Sequence, residues 1–222
     1  DALAAEFGAE STKLGVRFAL EAAKYRTIEG LSDETVRKLD VLRSGVLLPA
    51  PTTEGTAEEL ASITTRLSTA YGTGSGTLDG QTLDGDAIEE AMGTVRDPER
   101  LKEIWQSWHD TVGAPMKQDY QRMVELANAG AAELGYADVG SMWRSIYDMT
   151  PEEFSALNEK LWLDIKPLYD DLHCYVRDGL NRTYGDAVQP PTGPIRADLL
   201  GNLWAQDWSN IYDIVAPKDV GD

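Results

Sequence analysis

The stretch Thr150–Gly185, TPEEFSALNEKLWLDIKPLYDDLHCYVRDGLNRTYG, carries the clearest structural signal in this chain. Thr150 suits an N-cap, Pro151 suits the first helical position, and Glu153 completes a capping box. Apolar residues then recur every three or four positions, which predicts one long amphipathic helix that Gly185 ends. The residues of this apolar stripe are Phe154, Leu157, Leu161, Ile165, Leu168, Leu172, Val176 and Leu180.

The rest of the chain shows the same helical spacing and no sustained alternation of apolar and polar residues. Pro167 lies inside the long helix and predicts a kink there, because proline removes one backbone donor. The other predicted helices are 2–25, one capped by Ser32, one capped by Thr56 with Glu59 and closed by Gly72, one capped by Asp86 with Glu89, one starting at Asp97-Pro98, and 116–134. The predicted fold class is therefore all-α.

Two segments are predicted to be irregular. Gly72–Gly85, GTGSGTLDGQTLDG, is rich in glycine, threonine and aspartate and is typical of an exposed loop. Its glycines do not match a phosphate-binding loop, because no Gly-Lys-Ser/Thr follows them. Gln189–Pro194 contains three prolines and predicts a second irregular segment.

Composition excludes several kinds of partner. The 222 residues carry 20 Lys and Arg against 38 Asp and Glu, a formal charge of −18, which would repel nucleic acid and anionic membrane surfaces. No window approaches 18 apolar residues, so no membrane-spanning helix is predicted. Cys174 is the single cysteine, so no internal disulfide can form, and we expect it to be a small core residue.

The usual residue sets for metal or nucleophile chemistry are missing. His109 and His173 are the only histidines, and they are too far apart to form the His-x-x-x-His pair of helical zinc peptidases. A lone histidine on a helix is predicted to be a packing or capping residue. We therefore assign no catalytic residue and no metal ligand within this chain.

Aromatic residues of the C-terminal half raise two further expectations. Trp204 and Trp208 are predicted to lie one turn apart on one helix face, packed in the core. Arg144 lies among large apolar residues in the segment WRSIY at 143–147. A buried guanidinium needs either a carboxylate or a bound anion as its partner, and the residues alone leave both open.

Several segments between Trp105 and Pro217 resemble one family of peptidases. They are WQSWH at 105–109, YQRMVELAN at 120–128, LGYAD at 134–138, MWRS at 142–145, KPLY at 166–169, LHCYVR at 172–177, YGD at 184–186, GPI at 193–195 and LLGNLWAQDWSNIYD at 199–213. The chain is identified as resembling the angiotensin-converting enzyme family, the peptidyl-dipeptidase A metallopeptidases, in its bacterial type. The resemblance is weaker but collinear from Asp1 to Arg100.

The resemblance implies an all-helical, two-lobed zinc peptidase with a deep central channel that releases C-terminal dipeptides from oligopeptides. In that family zinc is held by His-Glu-x-x-His and a later glutamate, C-terminal to every segment matched here. The chain is thus expected to be an N-terminal fragment that is inactive alone and needs the missing C-terminal part as its partner. Residues 1–95 would be lid-like helices, and residues 96–222 the first part of the catalytic domain. A periplasmic or secreted location is implied.

Two residues match the family's chloride ligands: Arg144 within Trp-Arg-Ser and Tyr184 within Tyr-Gly-Asp. The resemblance therefore implies chloride beside zinc. Arg196-Ala197-Asp198 departs from the usual Pro-Ala-His, and Gly72–Gly85 lacks the cysteine pair that commonly closes that region. Two alternatives stay open: a non-catalytic helical binding module related to the family, and a scaffold without a ligand. A fragment, unlike these, should leave a large apolar face unpaired.

Overall fold

The computed structural model describes residues 2–217; Asp1 and Asp222, the outer limits of the two predicted domains, lie outside them. The helices are α1 Ala2–Tyr25, α2 Asp33–Ser44, α3 Thr56–Gly72, α4 Gly85–Thr94, α5 Pro98–Trp108, α6 Ala114–Glu133, α7 Val139–Arg144, α8 Pro151–Tyr184 and α9 Tyr212–Val215. The prediction of an all-α fold is confirmed. Across residues 2–217, none of the helices has both the length and the apolarity to cross a bilayer.

The long helix α8 starts and ends as its sequence predicts. The Thr150 hydroxyl accepts from the Glu153 amide at 3.1 Å, and the Glu153 carboxylate accepts from the Thr150 amide at 2.8 Å. Pro167 lies within the continuous helix, and Gly185 follows it with φ of +78°. This reciprocal pair satisfies two of the amides that a helix start leaves unbonded.

Two other predicted caps are wrong. Asp84, not Asp86, caps α4, because its carboxylate accepts from the Ala87 amide at 3.0 Å. Thr56 is already the first residue of α3, and its hydroxyl bonds back to the Pro51 and Thr53 carbonyls, so Thr56 does not occupy the N-cap position. The caps at Ser32 and Asp97 are confirmed.

The segment Gly72–Gly85 is not the predicted open loop. It forms an antiparallel hairpin of β1 Ser75–Leu78 and β2 Gln81–Asp84. Asp79 and Gly80 form its two-residue turn with φ of 52° and 75°, the positive angles that a type I′ turn requires. Strands of four residues are too short to show alternation, but Asp-Gly between them was a readable hairpin signal.

The other irregular segment is confirmed and is organised by one buried side chain. Gln189 is fully buried; its amide donates to the Pro190 and Pro194 carbonyls and its oxygen accepts from the Arg196 amide at 3.0 Å. Arg196 also forms an ion pair with Asp198 at 2.5 Å. This pair occupies the place where the sequence departs from Pro-Ala-His.

Two expectations about single side chains fail. Trp204 and Trp208 share no helix, because residues 201–205 form bends and a turn, with Ala205 at φ of 53°, and residues 206–208 have no regular structure. The indole of Trp208 donates to the Ala205 carbonyl at 2.9 Å. Cys174 is exposed rather than a core residue, with its sulfur 3.5 Å from Nη2 of Arg177.

The described chain divides into two compact units. The first contains residues 2–69 and 116–160, the second residues 70–115 and 161–217. Buried side chains of the first unit include Val16, Ala19, Leu60, Ile63, Leu126, Ala127, Ala131 and Met142. Those of the second include Ile88, Met92, Ile104, Trp108, Leu180, Leu199, Leu203 and Ile211. The division at residue 95 into lid and catalytic part stays a prediction.

Gly130, on the buried side of α6, gives a test of this packing. A Cβ at this position would lie 2.2 Å from the backbone oxygen of Pro49, so Gly130→Ala should cost about 3 kcal/mol of unfolding free energy through overpacking. At Gly72 a Cβ meets nothing within 4 Å, and Gly72→Ala should be neutral or stabilise by up to ~1 kcal/mol. Urea denaturation measures both; equal effects would contradict the contact.

Candidate anion-binding cavity

Arg144 is the last residue of α7, and the start of that helix is firmly held. The Asp138 carboxylate accepts from the Ser141 amide at 2.5 Å, and this hydrogen bond lowers the pKa of Asp138 below its usual range. The Val139 amide donates to Oδ1 of Asn128 at 3.1 Å. Met142 is fully buried. These contacts fix the short helix that places Arg144.

The guanidinium of Arg144 is only partly satisfied. Its Nη2 donates to the Ser141 hydroxyl at 3.3 Å, whereas its Nε is buried and finds no hydrogen-bond partner among residues 2–217. The positive charge of Arg144 also acts on the nearby Asp138 carboxylate and contributes to the lowered pKa of Asp138. Both partners that the sequence left open, a carboxylate and an anion, therefore stay open.

Arg144 lines a cavity of about 1400 Å³ that belongs to the first unit. Three further arginines line it, Arg26, Arg37 and Arg43, together with the carboxylates of Asp40 and Asp148 among others. The apolar part of its wall is formed by Val36, Val41, Leu47, Trp143, Ile146, Tyr147 and Phe154. Asp33 and Glu153 also line it, so the cavity combines apolar surface with four arginines and four carboxylates, a formal charge of zero.

The carboxylates are paired unevenly with the arginines. Arg26 donates to Asp40 at 2.6 Å, and Arg37 pairs with Asp148, whose pKa this hydrogen bond lowers. Arg43 reaches Asp40 only at 3.5 Å, and its Nε is buried without a partner in the described chain. Buried polar groups normally have a hydrogen-bond partner. Arg43 and Arg144 therefore each keep one buried N–H without a partner among residues 2–217.

Sequence reasoning found Arg144 but missed Arg43. Arg43 lies in the last turn of α2, where a cation is expected on helix-dipole grounds alone. Its guanidinium lies 5.6 Å from the centroid of the Tyr136 ring. No local pattern indicates that the end of α2 and α7 line one cavity, because that is a tertiary property.

Tyr184, the second predicted chloride ligand, is the last residue of α8 and belongs to the second unit. It is half-buried, and this burial raises its pKa. The positive charge that acts most strongly on its pKa is that of Arg96, and it lowers this pKa against the effect of burial. Arg96 already donates to the Asn210 carbonyl at 2.8 Å and pairs with Asp213 at 3.1 Å. Tyr184 and Arg144 belong to different units.

The histidines pack as predicted. His109 stacks on Trp105 with ring centroids 4.0 Å apart, and its Nδ1 lies 2.7 Å from the Trp105 carbonyl. His173 lies beside the rings of Tyr169 and Trp208 at 6.0 and 6.5 Å. Among residues 2–217 no group of three or more His, Cys, Asp and Glu is arranged to hold a metal. Zinc therefore does not fit the residues described.

The all-α fold and the match to a family model place this chain in a class of helical metallopeptidases. The family model described as angiotensin-converting enzyme matches residues 1–221, and the chain belongs to that family. The resemblance drawn from the sequence is confirmed.

Individual relatives are much longer than this chain. The angiotensin-converting enzyme-like protein Ace3 of Mus musculus is 36% identical over 212 residues, which is 94% of this chain and 28% of the relative. Angiotensin-converting enzymes of Mesocricetus auratus and Haematobia irritans exigua are each 43% identical over 130 residues, covering 59% of this chain. That match is 10% of the first enzyme and 21% of the second.

The cap of α7 provides a pH-dependent test. Asp138→Ala should cost about 1 kcal/mol of unfolding free energy at pH 7, the usual cost of a lost N-cap. Because the pKa of Asp138 is lowered in the folded state, its charge stabilises above the unfolded pKa of ~3.9 and that contribution disappears as the pH falls through the folded value. Urea denaturation should show a smaller difference in unfolding free energy between the unchanged chain and the Asp138→Ala variant at pH 3 than at pH 7. Asp138→Asn, which keeps an acceptor, should retain most of the stability at pH 7.

Proposed function

We propose that this chain is part of a zinc-dependent peptidyl-dipeptidase that releases C-terminal dipeptides from oligopeptides. Residues 1–95 form the lid and residues 96–222 form one wall of the substrate channel. The observation that carries the proposal is the apolar stripe of α8, most of which is exposed. The exposed fractions are 42% at Leu157, 53% at Leu161, 54% at Ile165, 68% at Leu168 and 48% at Leu172.

These five side chains fall within an arc of about 80° at ~100° per residue. Exposed apolar surface of this extent costs about 25 cal/mol for each Å² that water keeps in contact with it. Only the C-terminal end of the stripe, Val176 and Leu180, is buried. The relatives extend far beyond the region matched by this chain. We expect the corresponding further polypeptide of this protein to cover the exposed part of the α8 stripe. The zinc ligands lie in that further polypeptide.

Chloride at Arg144 and at Tyr184 is part of the same proposal. The buried, unpartnered Nε of Arg144 supports it, because an anion would satisfy that donor. Membership of this family also supports a periplasmic or secreted location for the protein. The arginine-lined cavity gives specific support to the second candidate, a non-catalytic helical binding module, since it does not depend on zinc.

Zinc content and peptide hydrolysis together test the enzymatic proposal. The isolated 222-residue chain, dialysed against zinc, should retain far less than one metal ion per chain and release no dipeptide. The natural polypeptide, captured by an antibody to this chain, should carry stoichiometric zinc. It should also cleave an N-blocked tripeptide with a free carboxylate faster than its C-terminal amide. Hydrolysis by the isolated chain, or zinc-free natural material, would contradict the proposal.

Halide titration tests the anion at Arg144. At constant ionic strength, chloride should raise the melting temperature of the chain, since a ligand bound only to the folded state stabilises it by about 1.4 kcal/mol per tenfold concentration above Kd. Arg144→Gln should abolish the chloride response. Arg37→Gln in the same cavity, where Asp148 already pairs the guanidinium, should leave it intact. An unchanged response in the Arg144 variant would exclude this site.

A further inference from the structure

A second cavity of the first unit lies between α1 and residues 50–58, the segment that leads into α3. We call it the α1 cavity. Its volume is about 640 Å³, within the range of roughly 300–1,000 Å³ that is typical of small-molecule sites. It shares no lining residue with the cavity around Arg144. Its apolar lining includes Val16, Ala50 and Ala57, which are only 5%, 2% and 5% exposed, so this part of the lining lies deep.

The wall opposite α1 is held in place by hydrogen bonds of the chain itself. The Thr52 amide donates to the Glu133 carboxylate at 2.8 Å. The Thr56 hydroxyl lies 2.7 Å from both the Pro51 and the Thr53 carbonyl oxygens. A wall that is already ordered has little conformational entropy left to lose when a ligand binds.

Three cations and three carboxylates line the α1 cavity, which gives it a formal charge of zero. They are Lys13, Arg17, Lys24, Glu21, Glu54 and Glu58. Lys13 pairs with Glu58 and also with Glu10, a residue outside the lining. Lys24 pairs with Glu21 at 2.6 Å. Two of the six groups, one of each sign, are therefore left over.

These two groups are Arg17 and Glu54. Among residues 2–217, neither side chain forms an ion pair or a hydrogen bond, with each other or with any other group. The guanidinium of Arg17 lies 5.7 Å from the centroid of the Phe18 ring, a contact that uses none of its hydrogen-bond donors. Arg17 and Glu54 are both exposed, so the free charges lie at the open side of the cavity.

The ligand that matches this lining has both charges at one end and an apolar group at the other. A ligand with only a carboxylate would leave Glu54 unpaired beside it, and one with only an ammonium group would leave Arg17 unpaired. An α-amino acid carries both charges on one carbon atom and a side chain that points away from them. The open side of the cavity suits its charged end, and the deep apolar lining suits its side chain.

We propose that the α1 cavity binds a free amino acid with a large apolar side chain. The ligand's carboxylate accepts from the guanidinium of Arg17, and its ammonium group donates to the carboxylate of Glu54. Its side chain packs against Val16, Ala50 and Ala57. The site needs neither zinc nor the anion at Arg144, and it lies apart from any hydrolysis of peptides.

A set of related ligands tests the chemistry of the site. In isothermal titration calorimetry with the natural polypeptide, norleucine should bind at least tenfold more tightly than its amide, which lacks the carboxylate, and than its N-acetyl form, which lacks the ammonium group. Its isomer ε-aminocaproate, which carries the two charges at opposite ends, should also bind at least tenfold more weakly. No binding of norleucine, or equal affinity for norleucine and ε-aminocaproate, would overturn the proposal.

Two variants test the place of binding. Arg17→Gln and Glu54→Gln should each weaken norleucine binding about tenfold, and both should fold normally because both side chains are exposed and unbonded. Arg17→Gln should leave the affinity for the amide unchanged, and Glu54→Gln that for the N-acetyl form. Arg37→Gln, the same substitution in the other cavity, should leave norleucine binding unchanged.

Norleucine binding that neither Arg17→Gln nor Glu54→Gln weakens would lie elsewhere in the protein and would overturn the proposal. Release of dipeptides by the natural polypeptide should be the same in both variants. Its absence from the unchanged natural polypeptide would contradict the enzymatic proposal and leave the amino-acid site standing.

Discussion

The apolar stripe of α8 is the constraint on which the rest of the molecule depends. Its C-terminal end is buried through Val176 and Leu180, whereas Leu161 to Leu172 remain in contact with water. The helix itself is stable at its start, because Thr150 and Glu153 satisfy each other's amides. A well-capped helix with an uncovered apolar side needs a partner for its side chains, not for its backbone.

The cavity around Arg144 contains arginine donors that lack a partner, as the α8 stripe contains apolar side chains that lack one. Arg26 and Arg37 have carboxylate partners, and Arg43 and Arg144 keep a buried donor free in the described part of the chain. Leaving a buried donor unpaired costs about 1–3 kcal/mol, and this cost is the physical argument for the anion that we propose at Arg144. The apolar wall of the cavity strengthens this effect by lowering the local dielectric.

Local signals in the sequence predicted local structure well. The caps at Ser32, Asp97 and Thr150 and the stop at Gly185 were readable, because each depends on residues within one turn. The hairpin at Ser75–Asp84 was missed although Asp-Gly marked its turn. The packing of Cys174 and Trp204 and the joining of Arg43 to the cavity were not readable. They depend on which elements meet in space, and helical periodicity does not specify that.

The contact between Gly130 and the Pro49 backbone also limits how this chain can vary in length. Inserting or deleting one residue of α6 before Gly130 would rotate the following turns by about 100° and bring a different residue against Pro49. Any residue with a Cβ would place that atom 2.2 Å from the Pro49 carbonyl oxygen, so only glycine fits at this contact. The number of residues between Ala114 and Gly130 is therefore fixed by sterics, and natural variants should differ in the loops instead.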